Sequence, residues 1–224
     1  MSLLETFFNW DVLVATMPAL LRGVLTTIAL GVASIVCGTV LGLGVSLVRL
    51  YAARPLRLAA MVYIDVFRAL PMLVVLIIIY YALPFVGVRL DSWTSAILGF
   101  SMVLAAYSAE VFRAGIEAVP RGQFEAAASL GLHFMMTLRK VVLPQAMRLV
   151  VPPTTSNWVS MFKDTSLASV VAMPELLKEA QDAQALNANP TPLIGAALVY
   201  LVLLWPMVRL VGHLEERARR QQAR

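Results

Sequence analysis

Long uncharged stretches alternate with short charged connections along the chain. The first uncharged stretch covers residues 23–48, and two more cover 69–88 and 92–109. A fourth, 149–174, is interrupted near its middle by two consecutive charged residues, and a fifth occupies most of 183–208. Because a helix needs about 20 apolar residues to cross the hydrocarbon core of a bilayer, the pattern predicts an all-α integral membrane protein with five transmembrane helices.

The composition supports this fold class. The 224 residues are 60% hydrophobic and 14% charged, with a mean hydropathy of +0.80, whereas a soluble domain carries about 25% charged residues. Five spans leave little chain for a soluble domain, so we expect no attached ATPase, kinase or nucleic-acid module. The net charge of +5 comes from basic residues scattered among apolar stretches, which indicates membrane topology rather than nucleic-acid binding.

Basic residues concentrate in three of the charged connections. Segments 49–68, 113–148 and 209–224 hold 14 of the 18 Lys and Arg residues, and only three lie in the connections on the opposite side. Positive side chains are retained on the cytoplasmic side of a membrane. We therefore predict that the N-terminus lies outside the cytoplasm and the C-terminus inside it.

These patterns divide the chain into three regions. Residues 1–22, which contain three aromatic side chains among polar ones, indicate an interfacial helix on the outer surface, with a disordered lead-in as the alternative. Residues 23–212 form the predicted five-helix domain, including the cytoplasmic connection 113–148, and residues 213–224 form a basic cytoplasmic tail.

Small residues recur at every fourth position of the first span. They are Ser34, Gly38, Gly42 and Ser46. This spacing places them in one stripe along a helix, where the backbone of another helix can approach closely. The stripe therefore predicts a packing seam, a feature that says little about function.

The connection 113–148 has an unusual order of helix-forming and helix-breaking residues. Pro120 and Gly122 mark its entry, a Glu-Ala-Ala run favours a helix, and Gly131 breaks that helix. Pro144 is predicted to end a second short element. Such a helix-turn-helix, with apolar and acidic side chains facing the cytosol, suits the groove of a partner protein. An amphipathic connector lying on the inner leaflet is the alternative.

The order of residues in this connection resembles the EAA motif of bacterial ABC importer permeases, EAA-x3-G-x9-I-x-LP. The matching positions are Glu125, Ala126, Ala127, Gly131, Leu143 and Pro144, with Val141 in place of isoleucine. Further stretches are similar to the polar-amino-acid branch of that family and begin at Phe67, Ala106, Pro120 and Lys163. The Arg-Gly-Thr-Pro element of that branch appears here as Arg-Ala-Leu-Pro at 68–71.

The resemblance implies a type I ABC importer permease of the bacterial inner membrane, with a periplasmic N-terminus. In such importers two permease subunits, identical or related, enclose the pathway in the lipid bilayer. Two cytosolic ABC ATPase subunits hydrolyse ATP, and a periplasmic solute-binding protein delivers the solute. The permease itself is then neither an enzyme nor a cofactor carrier. In agreement, this sequence contains no G-x-x-x-x-G-K-[ST] phosphate loop.

The resemblance also implies a coupling helix that begins near Gly122. Glu125 would offer a charge to a basic partner side chain, the two alanines after it would permit close approach, and Gly131 would turn the chain back to the membrane. The full set of ATPase-coupling candidates is Arg121, Gly122, Glu125, Ala126, Ala127, Gly131, Leu143 and Pro144.

Placing an ionisable group inside a membrane span has a high free-energy cost, so such a group suggests a function. Glu110 and Arg113 share a helix face and can pair with each other, which is the structural alternative to a pathway role. Lys163 and Asp164 are consecutive and point in different directions on a helix, so each needs another partner. They either line or gate a solute pathway or form structural pairs with other side chains. The pathway or gating candidates are Arg68, Glu110, Asn157, Ser160, Lys163, Asp164 and Thr165.

Two functions from different classes follow from these observations. The first is the permease subunit of an ATP-driven importer for a polar amino acid, and the second is a membrane channel or scaffold subunit without ATP coupling. An intramembrane enzyme is a weaker third hypothesis, because no base is paired with a nucleophile in the sequence. The outer segment 175–182 indicates either a docking surface for a binding protein or an exposed amphipathic connector.

Overall fold

The computed structural model describes residues 6–222, and its side chains up to residue 217. The outer ends of the predicted segments 1–22 and 213–224 lie outside the described residues. The described part is helical and contains no β-strand. Three of its helices are long and apolar enough to cross a membrane, or four if the bent pair Arg54–Ala69 and Met72–Val86 counts as one span.

The first helix is much longer than a membrane crossing requires. Helix α1 covers Trp10–Tyr51, 42 residues, which corresponds to about 63 Å at 1.5 Å per residue. The Asn9 side chain caps its start, because its Oδ1 accepts a hydrogen bond from the Val12 N–H at 3.2 Å. The boundary predicted at residue 22 falls inside this continuous helix, and the interfacial placement of its first turns stays a prediction.

The second predicted span is a series of shorter elements. Helix α2 covers Arg54–Ala69 and helix α3 covers Met72–Ile77. A π turn at Ile78–Ala82 and a 3₁₀ turn at Leu83–Val86 follow. The break between α2 and α3 lies at Pro71, which has extended backbone angles. Proline causes such a break because it has no N–H and disfavours helical geometry in the residue before it.

Helix α4, Ser92–Glu117, is followed by two short helices, α5 at Arg121–Ser129 and α6 at Phe134–Thr137. A π turn over Leu138–Val142 leads directly into α7, Leu143–Asp164. The prediction that Pro144 ends a short element is therefore wrong. Pro144 lies in the first turn of α7, directly after the π turn, and the helical backbone continues through it.

The fourth uncharged stretch differs from its predicted bounds. Helix α7 ends at Asp164, and a 3₁₀ turn at Thr165–Val171 continues the chain. Helix α8 then covers Leu176–Asn187, and α9 covers Thr191–Gln222. The paired charges at 163 and 164 thus lie at the end of a helix rather than in the middle of one.

Contacts group the chain into two units. Among the described residues, the first unit contains 6–36, 70–101 and 159–208, and the second contains 37–69, 102–158 and 209–222. In the first unit, α1, α8 and α9 share a buried apolar cluster. Its members are Leu20, Leu176, Ala180 and Ala196.

The second unit contains the predicted packing seam. A Cβ at Gly38 would lie 2.8 Å from Leu104 Cβ, and a Cβ at Gly42 would lie 2.6 Å from Ser108 Cβ. Both distances are shorter than van der Waals contact, so α1 and α4 approach each other only because these two positions lack side chains. Ser46, at the next position of the stripe, is fully buried. The seam is confirmed.

We expect Gly42→Ala to lower the thermal midpoint of the detergent-solubilised protein. Overpacking of a tight contact costs about 1–3 kcal/mol, which exceeds the gain of about 1 kcal/mol that alanine normally brings to a helix. Gly44→Ala is the matched control, since a Cβ at Gly44 meets no atom within 4 Å. Equal midpoints for the two variants would contradict the seam.

Candidate functional site

Helix α5 carries the Glu-Ala-Ala run in the second unit. Pro120 precedes it with extended backbone angles, and the Pro120 carbonyl accepts a hydrogen bond from the Gln123 N–H at 2.9 Å. Glu125 and Ala126 are exposed, whereas Ala127 is buried. The helix therefore presents a carboxylate and a small side chain on the face that is open to a partner.

The turn after α5 depends on Gly131. Its φ is +75°, a left-handed conformation that penalises any residue with a Cβ. The Gly131 N–H donates to the Ala128 carbonyl at 2.9 Å, and the Leu132 N–H donates to the Ala127 carbonyl at 3.1 Å. These two bonds form a Schellman motif, and they confirm the predicted helix end at this glycine.

One side of α5 rests on an apolar cluster. Phe124 packs against buried residues contributed by the end of α4 and by the segment that leads into α7. The buried members are Ile116, Val119, Leu138, Val142 and Ala146. Leu47 and Leu50 of α1 pack against the same cluster, so the end of α1 and the short helix α5 share one support.

The residues directly after α5 include apolar side chains that are exposed to solvent. Leu130 is 80% exposed, Met135 62% and Phe134 48%. Exposed large apolar side chains beside an exposed carboxylate are a feature of docking surfaces. Leu143, by contrast, is half-buried against the cluster, and Arg121 and Gly122 are exposed at the start of α5. We call α5 with residues 130–135 the docking face.

Arg68 and Glu110 lie in the second unit in different surroundings. The Arg68 guanidinium lies 5.7 Å from the centroid of the Tyr107 ring, and the Tyr107 hydroxyl donates to the Arg68 carbonyl at 3.4 Å. Glu110 pairs with Arg113, as the spacing on the helix allows, and also with Arg49 of α1. Sequence reasoning did not find Arg49, because it lies 61 residues away from its partner.

The remaining pathway candidates lie on or next to α7. The Asn157 Nδ2 atom is buried and has no hydrogen-bond partner among the described residues. Ser160 and Lys163 are exposed and Asp164 is half-buried. Thr165 lies in the 3₁₀ turn after α7, is fully buried, and its hydroxyl donates to the Phe162 carbonyl at 2.7 Å. Its hydroxyl is thus already used within the chain.

Glu175 is a buried carboxylate that the sequence did not single out. The sequence predicted an exposed acidic segment at 175–182, but Glu175 is fully buried in the first unit. Its carboxylate oxygens accept hydrogen bonds from the N–H groups of Leu177 and Lys178, each at 2.8 Å, and from the Tyr200 hydroxyl at 2.9 Å. It therefore caps α8 and connects that helix to α9.

Helix α1 meets this cap at short range. The Leu176 N–H donates to Thr27 Oγ1 at 3.1 Å, and a Cβ at Gly23 would lie 2.7 Å from Leu176 Cα. Burial raises the pKa of the Glu175 carboxyl above its ordinary value, although the three hydrogen bonds act in the lowering direction. The cap consequently combines close packing with a titratable group.

The structure has the fold of a membrane-embedded type I ABC importer permease. The fold matches the crystal structure of an amino acid ABC transporter with histidines, with a TM-score of 0.83 and 32% sequence identity. The match covers 92% of this chain and 96% of that one. Residues 35–220 match the family described as the binding-protein-dependent transport system inner membrane component, and the chain belongs to this family.

Two curated relatives resemble the chain over nearly its whole length. The L-cystine transport system permease protein TcyB of Bacillus subtilis is 39% identical over 217 residues, which covers 96% of this chain and 92% of TcyB. The glutamate/aspartate import permease protein GltK of Escherichia coli is 32% identical over 219 residues, which covers 94% and 98% of the two chains. The predicted family membership is confirmed.

Glu175→Ala is expected to destabilise the protein by about 1–3 kcal/mol, because it removes the cap and leaves buried donors without partners. The raised pKa means that the folded state binds the proton more tightly than the unfolded state. The free energy of unfolding should therefore increase as the pH falls through the folded-state pKa towards the ordinary value of 4.5. Thermal midpoints of the solubilised protein between about pH 4.5 and 8 measure this.

Glu175→Gln should abolish that pH dependence while costing less stability than the alanine variant, because its amide still offers one acceptor oxygen. Glu179→Gln is the control, since Glu179 only adds a repulsive charge near Glu175 and should retain most of the dependence. If the thermal midpoint of the Glu175→Gln variant depends on pH as the parental protein does, another group is responsible for the pH dependence.

Proposed function

We propose that the chain is the permease subunit of an ATP-driven importer that moves a polar amino acid across the bacterial inner membrane. The observation that carries this proposal is the docking face, in which the Glu-Ala-Ala helix ends at a left-handed Gly131 beside exposed apolar side chains. The names of the relatives supply the solute class, since they transport L-cystine, glutamate and aspartate. A channel or scaffold subunit would need no such face.

In the proposed complex, two permeases, identical or related, enclose the pathway, and two ABC ATPase subunits bind the docking faces from the cytosol. ATP hydrolysis then takes place in those partners and not in this chain. Closure of the ATPase subunits pushes α5 on each permease and rocks the helices between outward-facing and inward-facing states. A periplasmic binding protein delivers the solute, and the exposed side chains of α8 are the surface on which we expect it to dock.

We further propose five spans, with the N-terminus in the periplasm and the C-terminus in the cytoplasm. The concentration of Lys and Arg in segments 49–68, 113–148 and 209–224 supports this orientation. In this arrangement α5 and residues 213–224 face the cytosol, and α8 faces the periplasm. The pair α2 and α3 then counts as one span, and α7 with the following 3₁₀ turn counts as another.

For the solute pathway we propose Lys163 and Asp164 as the principal charged groups. The ion pairs Arg49–Glu110, Arg113–Glu110, Arg113–Glu117 and Lys178–Asp182 include neither of them. A zwitterionic amino acid needs partners for both its carboxylate and its ammonium, because an unpaired charge in the bilayer costs several kcal/mol. Arg68, Asn157, Ser160 and Thr165 are secondary candidates, of which Thr165 has the weakest support because its hydroxyl is buried.

The docking proposal predicts that Glu125→Lys and Gly131→Val abolish uptake and weaken copurification of the ATPase subunits while membrane insertion is unchanged. The lysine would repel a basic docking groove, and valine disfavours the left-handed turn. Gly212→Ala is the control, because Gly212 lies outside the docking face and a Cβ there meets no atom within 4 Å. Normal transport and copurification by either variant would show that the docking assignment is wrong.

The pathway proposal predicts that Lys163→Met or Asp164→Asn lowers amino-acid uptake into proteoliposomes by about tenfold or more, equivalent to about 1.4 kcal/mol, with ATPase assembly intact. Lys163→Arg, which keeps the charge, should retain most uptake, and Asp65→Asn removes an exposed carboxylate elsewhere as a second control. Parental uptake in both variants would contradict these residue roles. Uptake of sugars or phosphate by the unaltered complex would contradict the solute class.

A further inference from the structure

We propose that a chain of four charged side chains, Arg49, Glu110, Arg113 and Glu117, is the positioning element that transmits the movement of α5 to α1. This inference rests on the proposed function, since it concerns how ATP-driven force enters the membrane helices. We call these four side chains the ion chain. The family match and the sequence motif do not assign a role to it.

Glu110 is the centre of the ion chain. Its Oε2 atom accepts a hydrogen bond from Arg49 Nη1 of α1 at 2.5 Å. Its Oε1 atom accepts one from Arg113 Nε at 3.2 Å, and Arg113 Nη2 also pairs with it. Arg113 Nη1 in turn pairs with Glu117. The chain therefore runs from the last turn of α1 to the last turn of α4 without interruption.

The ion chain is neutral and partly shielded from water. Two positive and two negative groups balance, and the side chains of Arg49, Glu110 and Arg113 are only 21%, 25% and 24% exposed. Networks of partly buried charges hold geometry better than isolated surface pairs, which are screened and contribute little. Loss of Glu110 leaves Arg49 without this carboxylate in a partly buried place, which is costly, whereas Glu117 at the end of the ion chain is 52% exposed.

Packing around the ion chain leaves the two helices little room to slide. The Gly38 and Gly42 contacts described above place the backbone of α1 directly against Leu104 and Ser108 of α4. The ion chain joins the same two helices about two turns beyond Gly42 on α1 and two residues beyond Ser108 on α4. Held at both places, α1 and α4 can only move as one body in this region.

The end of the ion chain meets the base of α5. Glu117, Arg121 and Glu125 line one cleft of about 500 Å³, together with Leu50 and Tyr51 at the end of α1. Only residues 118–120 separate Glu117 from the first residue of α5. A push on α5 is therefore applied next to Glu117, and the ion chain connects that position to Arg49.

The geometry also argues against Glu110 as a receptor for the solute ammonium. Both of its oxygens are engaged by arginines, so a solute would have to displace a charged partner before it could bind. The groove beside Glu110, about 370 Å³, is otherwise lined by apolar or small residues. They are Val111, Ala114, Gly115, Ala118, Leu149 and Pro153. We therefore assign Glu110 to positioning rather than to solute binding.

The test uses the full complex of permease, ATPase subunits and binding protein in proteoliposomes, with Arg49→Gln and Glu110→Gln. We expect solute uptake at saturation to fall about tenfold while ATP hydrolysis stimulated by the loaded binding protein stays within about twofold. The ATP consumed per solute should then rise about tenfold, with the KM for the loaded binding protein unchanged. Because both changes break one interaction, Arg49→Gln combined with Glu110→Gln should be no worse than the more severe single variant.

Two further variants serve as controls. Arg57→Gln removes an exposed arginine of α2 that is not part of the ion chain and should leave the ratio of ATP to solute at the parental value. Arg49→Lys keeps the charge and should restore most of the coupling. If Arg49→Gln fails to assemble, Glu110→Asp, which keeps the charge but shortens the reach by one methylene, carries the same test.

Three results would overturn the inference. Parental uptake would show that the ion chain has no role, and an equal fall of uptake and ATP hydrolysis would show a purely structural one. A raised KM for the loaded binding protein, with an unchanged amount of ATP consumed per solute, would place Glu110 in the solute pathway instead. Failure of the unaltered complex to import any amino acid would count against the proposed function, and it is observed separately from these variants.

Discussion

The close approach of α1 and α4 is the contact on which the second unit depends. In a bilayer, lipid tails are as apolar as leucine side chains, so helices associate through tight packing and polar contacts rather than through the exclusion of water. Gly38 and Gly42 allow that packing. The same approach brings Arg49 within reach of Glu110 and places Leu50 against the cluster that supports α5.

Helix α5 has nine residues, which is too few for a helix to be stable on its own in water. Its stability therefore comes from its surroundings: the Schellman turn at Gly131 satisfies its last carbonyls, and Phe124 and Ala127 pack on one side. This arrangement leaves Glu125 and Ala126 exposed on a helix whose other side is packed against the protein. A partner can bind such a helix without first having to order it.

The first unit uses a different kind of contact at the start of α8. A buried carboxylate is costly unless hydrogen bonds compensate it, and Glu175 accepts three. Its position thus fixes α8 to α9, while Thr27 and Gly23 bring α1 to the same point. Close packing at a glycine and a satisfied polar group occur together here, as they do around Gly42 and Glu110.

The sequence by itself determined the features that depend on neighbouring residues. Uncharged stretches indicated membrane helices, the four-residue spacing indicated the seam at Gly42, and the Glu-Ala-Ala run ending at Gly131 indicated α5. The tertiary structure decided where Pro144 falls in its helix, that Glu175 is buried, and that Arg49 reaches Glu110 across 61 residues. The reason is physical: periodicity and turn chemistry act within a few residues, whereas burial and ion pairing depend on which distant segments pack together.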